Sequence, residues 1–156
     1  QGCHRCHLQS RGRHLLYRLP ATWRKCSPMN PRVLVVDDEP FILTGLRVFL
    51  EDEGMQVVCA ASGEEAVDVL RGDSGYDVCI MDMRLPGMNG DTTIRALHEI
   101  CTTLKFIIHT GSSDYSIPDD LHAMGITGAQ YFPKPQADMK PLADMVRALA
   151  GDRRQV

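Results

Sequence analysis

The sequence predicts an α/β fold, a doubly wound five-stranded parallel sheet with helices on both faces. Three observations lead there. From Arg32 onward, short apolar runs alternate with segments of helical period. The runs are nearly continuous in apolar residues, as befits strands buried on both faces. Five such pairs fit into about 125 residues, so consecutive strands must be joined by right-handed crossovers.

The elements follow in order. Residues 33–36 (Val-Leu-Val-Val) form the first strand, and Ile42, Leu46 and Phe49 then recur at helical spacing up to Gly54. The second strand is 57–60. A capping box, Ser62-Gly-Glu-Glu65, opens a second helix whose inward residues are Ala66, Val69 and Leu70, with Gly72 and Gly75 where it should stop. Residues 78–81 make the third strand, and Ile94, Leu97 and Cys101 mark the third helix. The fourth strand is 106–108. Ser116-Ile-Pro-Asp119 reads as a similar cap for a short fourth helix over 116–124, stopped by Gly125 and Gly128. The fifth strand is expected at 129–132. The last helix carries Leu142, Met145, Val146 and Leu149, with Pro141 tolerable only in its first turn.

The 156 residues leave room for one domain and an appendage. Three parts are expected: a basic extension over 1–28, the domain over 30–150 and a tail over 151–156. The net charge of −3 hides an asymmetry, for residues 1–28 carry +6 with no acid and the rest carries −9. A body this acidic is a poor general binder of nucleic acid, and no nucleic-acid partner is expected. No apolar run approaches the ~18 residues of a membrane span, so no membrane partner is expected either. Cys59, Cys79 and Cys101 sit in apolar or helical stretches and read as small buried hydrophobes in a reducing compartment.

In a doubly wound sheet the functional crevice lies beyond the carboxyl ends of the strands. There the first strand ends in Asp37-Asp38-Glu39, the third in Asp82, the fourth in Thr110 and the fifth in Lys134-Pro135. Taken singly, Asp38 could be a helix cap, and one strand-end acid or Lys134 a solvated charge. Convergence from four strands is harder to obtain by accident. Clustered carboxylates repel without a cation, and hard oxygen ligands suit Mg²⁺.

These residues carry a resemblance. Val-Val-Asp-Asp-Glu-Pro at 35–40, Met-Asp-Met-Arg-Leu-Pro-Gly-Met-Asn-Gly at 81–90, His-Thr-Gly at 109–111 and Tyr-Phe-Pro-Lys-Pro at 131–135 resemble the receiver domains of two-component response regulators, similar to stand-alone chemotaxis-type receivers. The resemblance implies a flavodoxin-like strand order 2-1-3-4-5. It implies that Asp82 is the phosphoacceptor, that Asp37, Asp38, Asp82 and the backbone carbonyl of Met83 hold Mg²⁺, and that Lys134 and Thr110 contact the phosphoryl group. Thr110 and Tyr131 would form the switch, and Arg84 and Ser112 would flank the path of the hydrolytic water. A cis Lys134–Pro135 bond goes with the family. The chain would be no enzyme toward other substrates, catalysing only its own phosphorylation and dephosphorylation. Its implied setting is cytoplasmic. The implied partners are a sensor histidine kinase or phosphotransfer protein and a downstream protein, with a homodimer formed through the fourth helix, fifth strand and fifth helix.

Residues 1–28 stand outside the resemblance. Cys3-His-Arg-Cys6-His7 matches the haem-attachment pattern, but no apolar signal core precedes it. A zinc site from Cys3, Cys6, His7 and Cys26 fits no standard finger spacing. An Arg-rich, acid-free stretch also imitates an organelle transit peptide. The favoured reading is an upstream extension, because Met29-Asn-Pro-Arg reads as a natural start. The rival functions are a receiver fragment of a larger regulator or hybrid kinase, a phosphorylation-independent binding module, and a flavodoxin-like cofactor binder or haloacid-type phosphatase. The last is weak, since that phosphatase needs an Asp-x-Asp after the first strand and the acids here are adjacent.

Overall fold

In the computed structural model, which describes residues 30–152, the strand β1 (Arg32–Val36) is buried along its whole length. It pairs in parallel with β2 (Gln56–Ala60) on one side and β3 (Val78–Met81) on the other. Beyond β3 come β4 (Lys105–Thr110) and β5 (Tyr131–Pro133), again parallel, in the order β2-β1-β3-β4-β5. The expected sheet and strand order are therefore present.

Side chains alternate along a strand, so each strand feeds two cores. Leu34, Val36, Cys79, Met81, Phe106 and Ile108 face α2 (Gly63–Gly72), α3 (Gly90–Ile100) and α4 (Asp119–Ala123), meeting Ala66, Leu70, Ile94, Leu97 and Leu121. Val33, Val35, Val78, Ile80 and Ile107 face α1 (Pro40–Asp52) and α5 (Lys140–Asp152), meeting Leu46, Leu50, Leu142 and Val146. Each fully buried Leu, Ile or Val contributes roughly 1.5–3 kcal/mol before entropy is counted. The thiols of Cys59, Cys79 and Cys101 are free. Burial pushes the Cys79 thiol up, which makes it a core hydrophobe rather than a nucleophile.

Local chemistry sets the helix starts. Ser62 Oγ accepts the Glu65 N–H at 3.1 Å, and the Glu65 carboxylate takes the Ala61 N–H at 2.7 Å, one residue upstream of the standard capping-box partner. Asn89 caps α3 by accepting the Thr92 N–H at 2.9 Å. Gly54 and Gly125 take positive φ, 83° and 90°, just after α1 and α4.

Two expectations need correction. The fourth helix does not start from a Ser116 cap. It begins after Pro118, which offers no side-chain bond, and covers only Asp119–Ala123. The fifth strand does not begin at Ala129. Gly128–Gln130 form a 3₁₀ turn, held by a reciprocal capping pair of Thr127 and Gln130. Gln130 is buried because its Nε2 donates to the Phe106 carbonyl at 3.1 Å. The strand follows as Tyr131–Pro133. Cys3, Cys6, His7 and Cys26, with the rest of 1–28 and residues 153–156, lie outside the described residues.

Candidate functional site

Parallel strands bring all their carboxyl ends to one rim. Asp37 follows β1, Asp82 follows β3, Thr110 ends β4 and Lys134 follows β5. Lys134 Nζ donates to Asp37 Oδ2 at 2.5 Å and to Asp82 Oδ2 at 3.0 Å, so one ammonium bridges two buried acids. It also stands 3.6 Å from Glu39 Oε1. The other oxygens are held by backbone: Asp37 Oδ1 accepts the Glu39 N–H at 2.9 Å, and Asp82 Oδ1 accepts the Arg84 N–H at 3.0 Å. Burial raises the Asp37 carboxyl above its ordinary value, although Lys134 and the Glu39 N–H pull the other way. Burial alone would lower Lys134, but its bonds to Asp37 and Asp82 hold it raised, so the ammonium stays charged. The Lys134 N–H donates to the Thr110 carbonyl at 2.9 Å, and the Lys134–Pro135 bond is cis.

Carboxylate oxygens of Asp37, Glu39 and Asp82 lie within 4.8 Å of one another. Three hard donors facing one lysine charge leave an excess of negative charge, which fits Mg²⁺. Asp38 and Glu39 are both exposed; Glu39 occupies the third place of this trio and Asp38 stands outside it. The Met83 carbonyl accepts the Gly90 N–H at 3.3 Å. Gly90 is required there. A Cβ on it would meet Met83 Cα at 2.6 Å and the Asp82 carbonyl at 2.7 Å, both backbone atoms.

The remaining rim residues meet at Ser112. Its N–H donates to Thr110 Oγ1 at 3.3 Å, its Oγ accepts from Arg84 Nη2 at 3.2 Å, and its carbonyl accepts from the Tyr131 hydroxyl at 2.7 Å. Arg84, Ser112, Thr110 and Tyr131 are thus brought into one chain of contacts. Tyr131 stacks on Tyr115, a residue that sequence reasoning missed. Nothing local marks Tyr115, whose partners come from α3 and β5.

A cavity of about 730 Å³ opens at this rim, lined by Glu39, Arg84 and Lys134 and extending between α1 and the loop before α5. Ile42, Leu46, His109, Pro135 and Met139 line it, and it reaches Asp38 and Asp82. Phe41, on its border, is 93% exposed. His109 is buried with no partner for its Nδ1. Burial, reinforced by Lys134, drives its pKa down to about 4 and keeps the ring neutral.

A 2-1-3-4-5 parallel sheet with acids, a threonine and a lysine on one rim defines a receiver-type signalling domain. The family model "response regulator receiver domain" matches residues 33–147, and the chain belongs to that family. The transcriptional regulatory protein CutR of Streptomyces coelicolor is 34% identical over 76% of this chain and 52% of its own length. CpxR of Escherichia coli, also a transcriptional regulatory protein, is 30% identical over 76% of this chain and 48% of its own. The chain spans about half the length of these curated relatives. Among solved structures, the Thermotoga maritima response regulator TrrA in complex with Mg²⁺-BeF is 31% identical, with a TM-score of 0.65 over 76% of this chain and 98% of that one. A Clostridium thermocellum receiver domain is 28% identical, with a TM-score of 0.67 over 80% and 97%. No helix among the described residues is long and apolar enough to cross a membrane.

Proposed function

We propose that the chain is the phosphoacceptor switch of a two-component pathway, taking a phosphoryl group from the phosphohistidine of a sensor histidine kinase or phosphotransfer protein onto Asp82. The observation that carries this reading is the Lys134 ammonium bridging Asp82 and Asp37 at the carboxyl end of the sheet. An Asp82 carboxylate oxygen attacks phosphorus, the phosphorus–nitrogen bond to the donor imidazole breaks, and an acyl phosphate results. Lys134 then turns from neutralising Asp82 to pairing with the phosphoryl oxygens. The Thr110 hydroxyl donates to the same group, and Tyr131 moves into the space Thr110 leaves.

A bound Mg²⁺ would offset phosphoryl charge during the transfer. Asp37 and Asp82 are its carboxylate ligands in this reading, joined by Asp38 and the Met83 carbonyl as the resemblance implies. Glu39 competes with Asp38 for the third place. Mg²⁺ titration of Asp38→Ala and Glu39→Ala decides between them, since the true ligand is the one whose removal weakens binding. Arg84 slows loss of the phosphoryl group: its bond to Ser112 spans the two loops that border Asp82, and a guanidinium cannot act as a base toward water.

Incubation with acetyl phosphate and Mg²⁺, followed by intact mass, tests the reading. One phosphoryl mass gain is expected, absent in Asp82→Asn. No gain in the unmodified chain would leave a phosphorylation-independent binding module. The relatives' greater length favours, as a second reading, a receiver that serves a larger response regulator. The complete open reading frame decides that.

A further inference from the structure

We propose that Glu64, in the first turn of α2, is a positioning residue of the Mg²⁺ site: it grips the loop between β3 and α3 and so sets the place of the Met83 carbonyl. The inference rests on the receiver reading above and adds a residue that reading does not use.

The loop, residues 82–89, begins at Asp82 and Met83 and ends at the Asn89 cap of α3. Glu64 Oε1 accepts the Met88 N–H at 3.0 Å, from 24 positions away in the chain. The neighbouring acid acts differently, for Glu65 turns back to the Ala61 N–H and serves its own helix. An acid in a first turn is already favoured by the helix dipole, so the bond from Glu64 to a second element is a separate feature. Glu64 also lies against Gly87, whose φ is 75°, and a Cβ there would meet Glu64 Oε1 at 2.9 Å. Beside it Gly63 is buried, and a Cβ on it would meet the Met88 carbonyl at 3.0 Å and collide with Thr93 Oγ1. The first turn of α2 therefore rests directly on the loop, and a side chain at Gly63 would lift it off.

The grip is passed to the other end of the loop in one short step. Met88 stands two residues before Gly90, whose N–H donates to the Met83 carbonyl at 3.3 Å. Gly90 is packed so closely on Met83 Cα and the Asp82 carbonyl that the two ends of the loop cannot shift independently. Thr93 Oγ1 closes the same junction, donating to the Asn89 carbonyl at 2.8 Å and reaching the Met88 carbonyl at 3.4 Å. A displacement of Met88 is thus transmitted through Gly90 to the backbone of Met83 and Asp82. A carbonyl already held in place costs less to order when an ion binds, so Glu64 contributes to affinity without touching the ion.

The test titrates Mg²⁺, with no phosphodonor, into the full chain and into Glu64→Ala and Glu64→Gln, following the Met83, Arg84 and Gly90 amides by NMR. Glu64 is exposed, so both variants keep the core intact. Glu64→Ala is expected to bind Mg²⁺ about three- to fivefold more weakly, with its ion-free Met83 and Gly90 amides shifted; one hydrogen bond of ordinary net worth sets a ceiling near tenfold. Glu64→Gln keeps an oxygen acceptor and loses only the charge, so its affinity is expected within about twofold of the parent. A Glu64→Gln as weak as Glu64→Ala would show that a lost negative charge, and not loop position, sets the affinity, and would overturn the proposal. A purely structural role would lower the thermal midpoint of Glu64→Ala and leave Mg²⁺ affinity at the parent value, which overturns the grip and leaves the receiver reading standing. A parent chain that takes up no Mg²⁺ overturns the metal site of that reading and the grip with it.

Discussion

On the α1 and α5 side of the sheet, His109 is buried with its Nδ1 unpaired and borders an open cavity. One residue later, on the α3 and α4 side, Thr110 enters a chain of contacts through Ser112 and Tyr131 that ends on α3. Strand alternation alone separates the two side chains. At His109 a polar group is buried with one nitrogen unbonded, whereas Thr110 is part of a chain of ties between elements. A tie can be made and broken as a switch requires, whereas an unpaired group can only be left or lost.

Polar-to-apolar substitutions should therefore have opposite signs at the unbonded His109 and at the bonded residues near Thr110. The largest effect is expected at His109→Leu, which should stabilise the chain by about 3 kcal/mol at pH 5 and about 1 kcal/mol at pH 7.5. The sign follows from its depressed pKa, about 4 in the fold against the ordinary 6.5. The unfolded chain takes up a proton below 6.5 that the folded ring refuses, so stability present above 6.5 is lost as pH falls toward 4. Urea unfolding at the two pH values checks it, and equal gains at both would show that the ring titrates normally. On the other face Gln130→Leu strands the Phe106 carbonyl and the Thr127 N–H, and should cost about 2 kcal/mol by the same measurement. Tyr131→Phe removes one bond to Ser112 and should cost about 1 kcal/mol, its thermal midpoint falling by a few degrees. Smallest in stability, within about 0.5 kcal/mol, is Arg84→Asn, because the guanidinium is exposed. Its effect should appear in the decay of the acyl phosphate, faster by several-fold at fixed Mg²⁺. Equal or slower decay would show that Arg84 does not guard the bond.

The central strands were readable because burial on both faces leaves no polar residue to confuse the pattern: 33–36 and 78–81 are apolar throughout, and each ends at its acid. Reading failed where a side chain substitutes for a regular ladder. Gln130 looks like the polar phase of a strand, yet it is buried as the anchor of a 3₁₀ turn, which displaced the fifth strand by two residues. Ser116 looked like a cap, but Pro118 already sets the extended backbone from which α4 starts. In the site, sequence order delivered Asp37, Asp82, Thr110 and Lys134 to one rim, since strand ends are fixed by topology. Which of Asp38 and Glu39 brings its carboxylate close to those of Asp37 and Asp82 depends on the first residues after β1, and adjacency in sequence carries no such information. Tyr115 was invisible for a related reason, as its neighbours are 16 and 24 positions away in the chain.

The shortness of β5 has a consequence for self-association. It is the outermost strand on its side, three residues long, and it closes on Pro133, which has no N–H to donate. A foreign strand laid alongside would find too few free backbone groups to hold it, which is how natural sheets guard against uncontrolled growth. Copies of this chain that meet on this side must do so through side chains of the flanking helices. Such contacts can depend on the state of the rim, as continuous main-chain pairing could not.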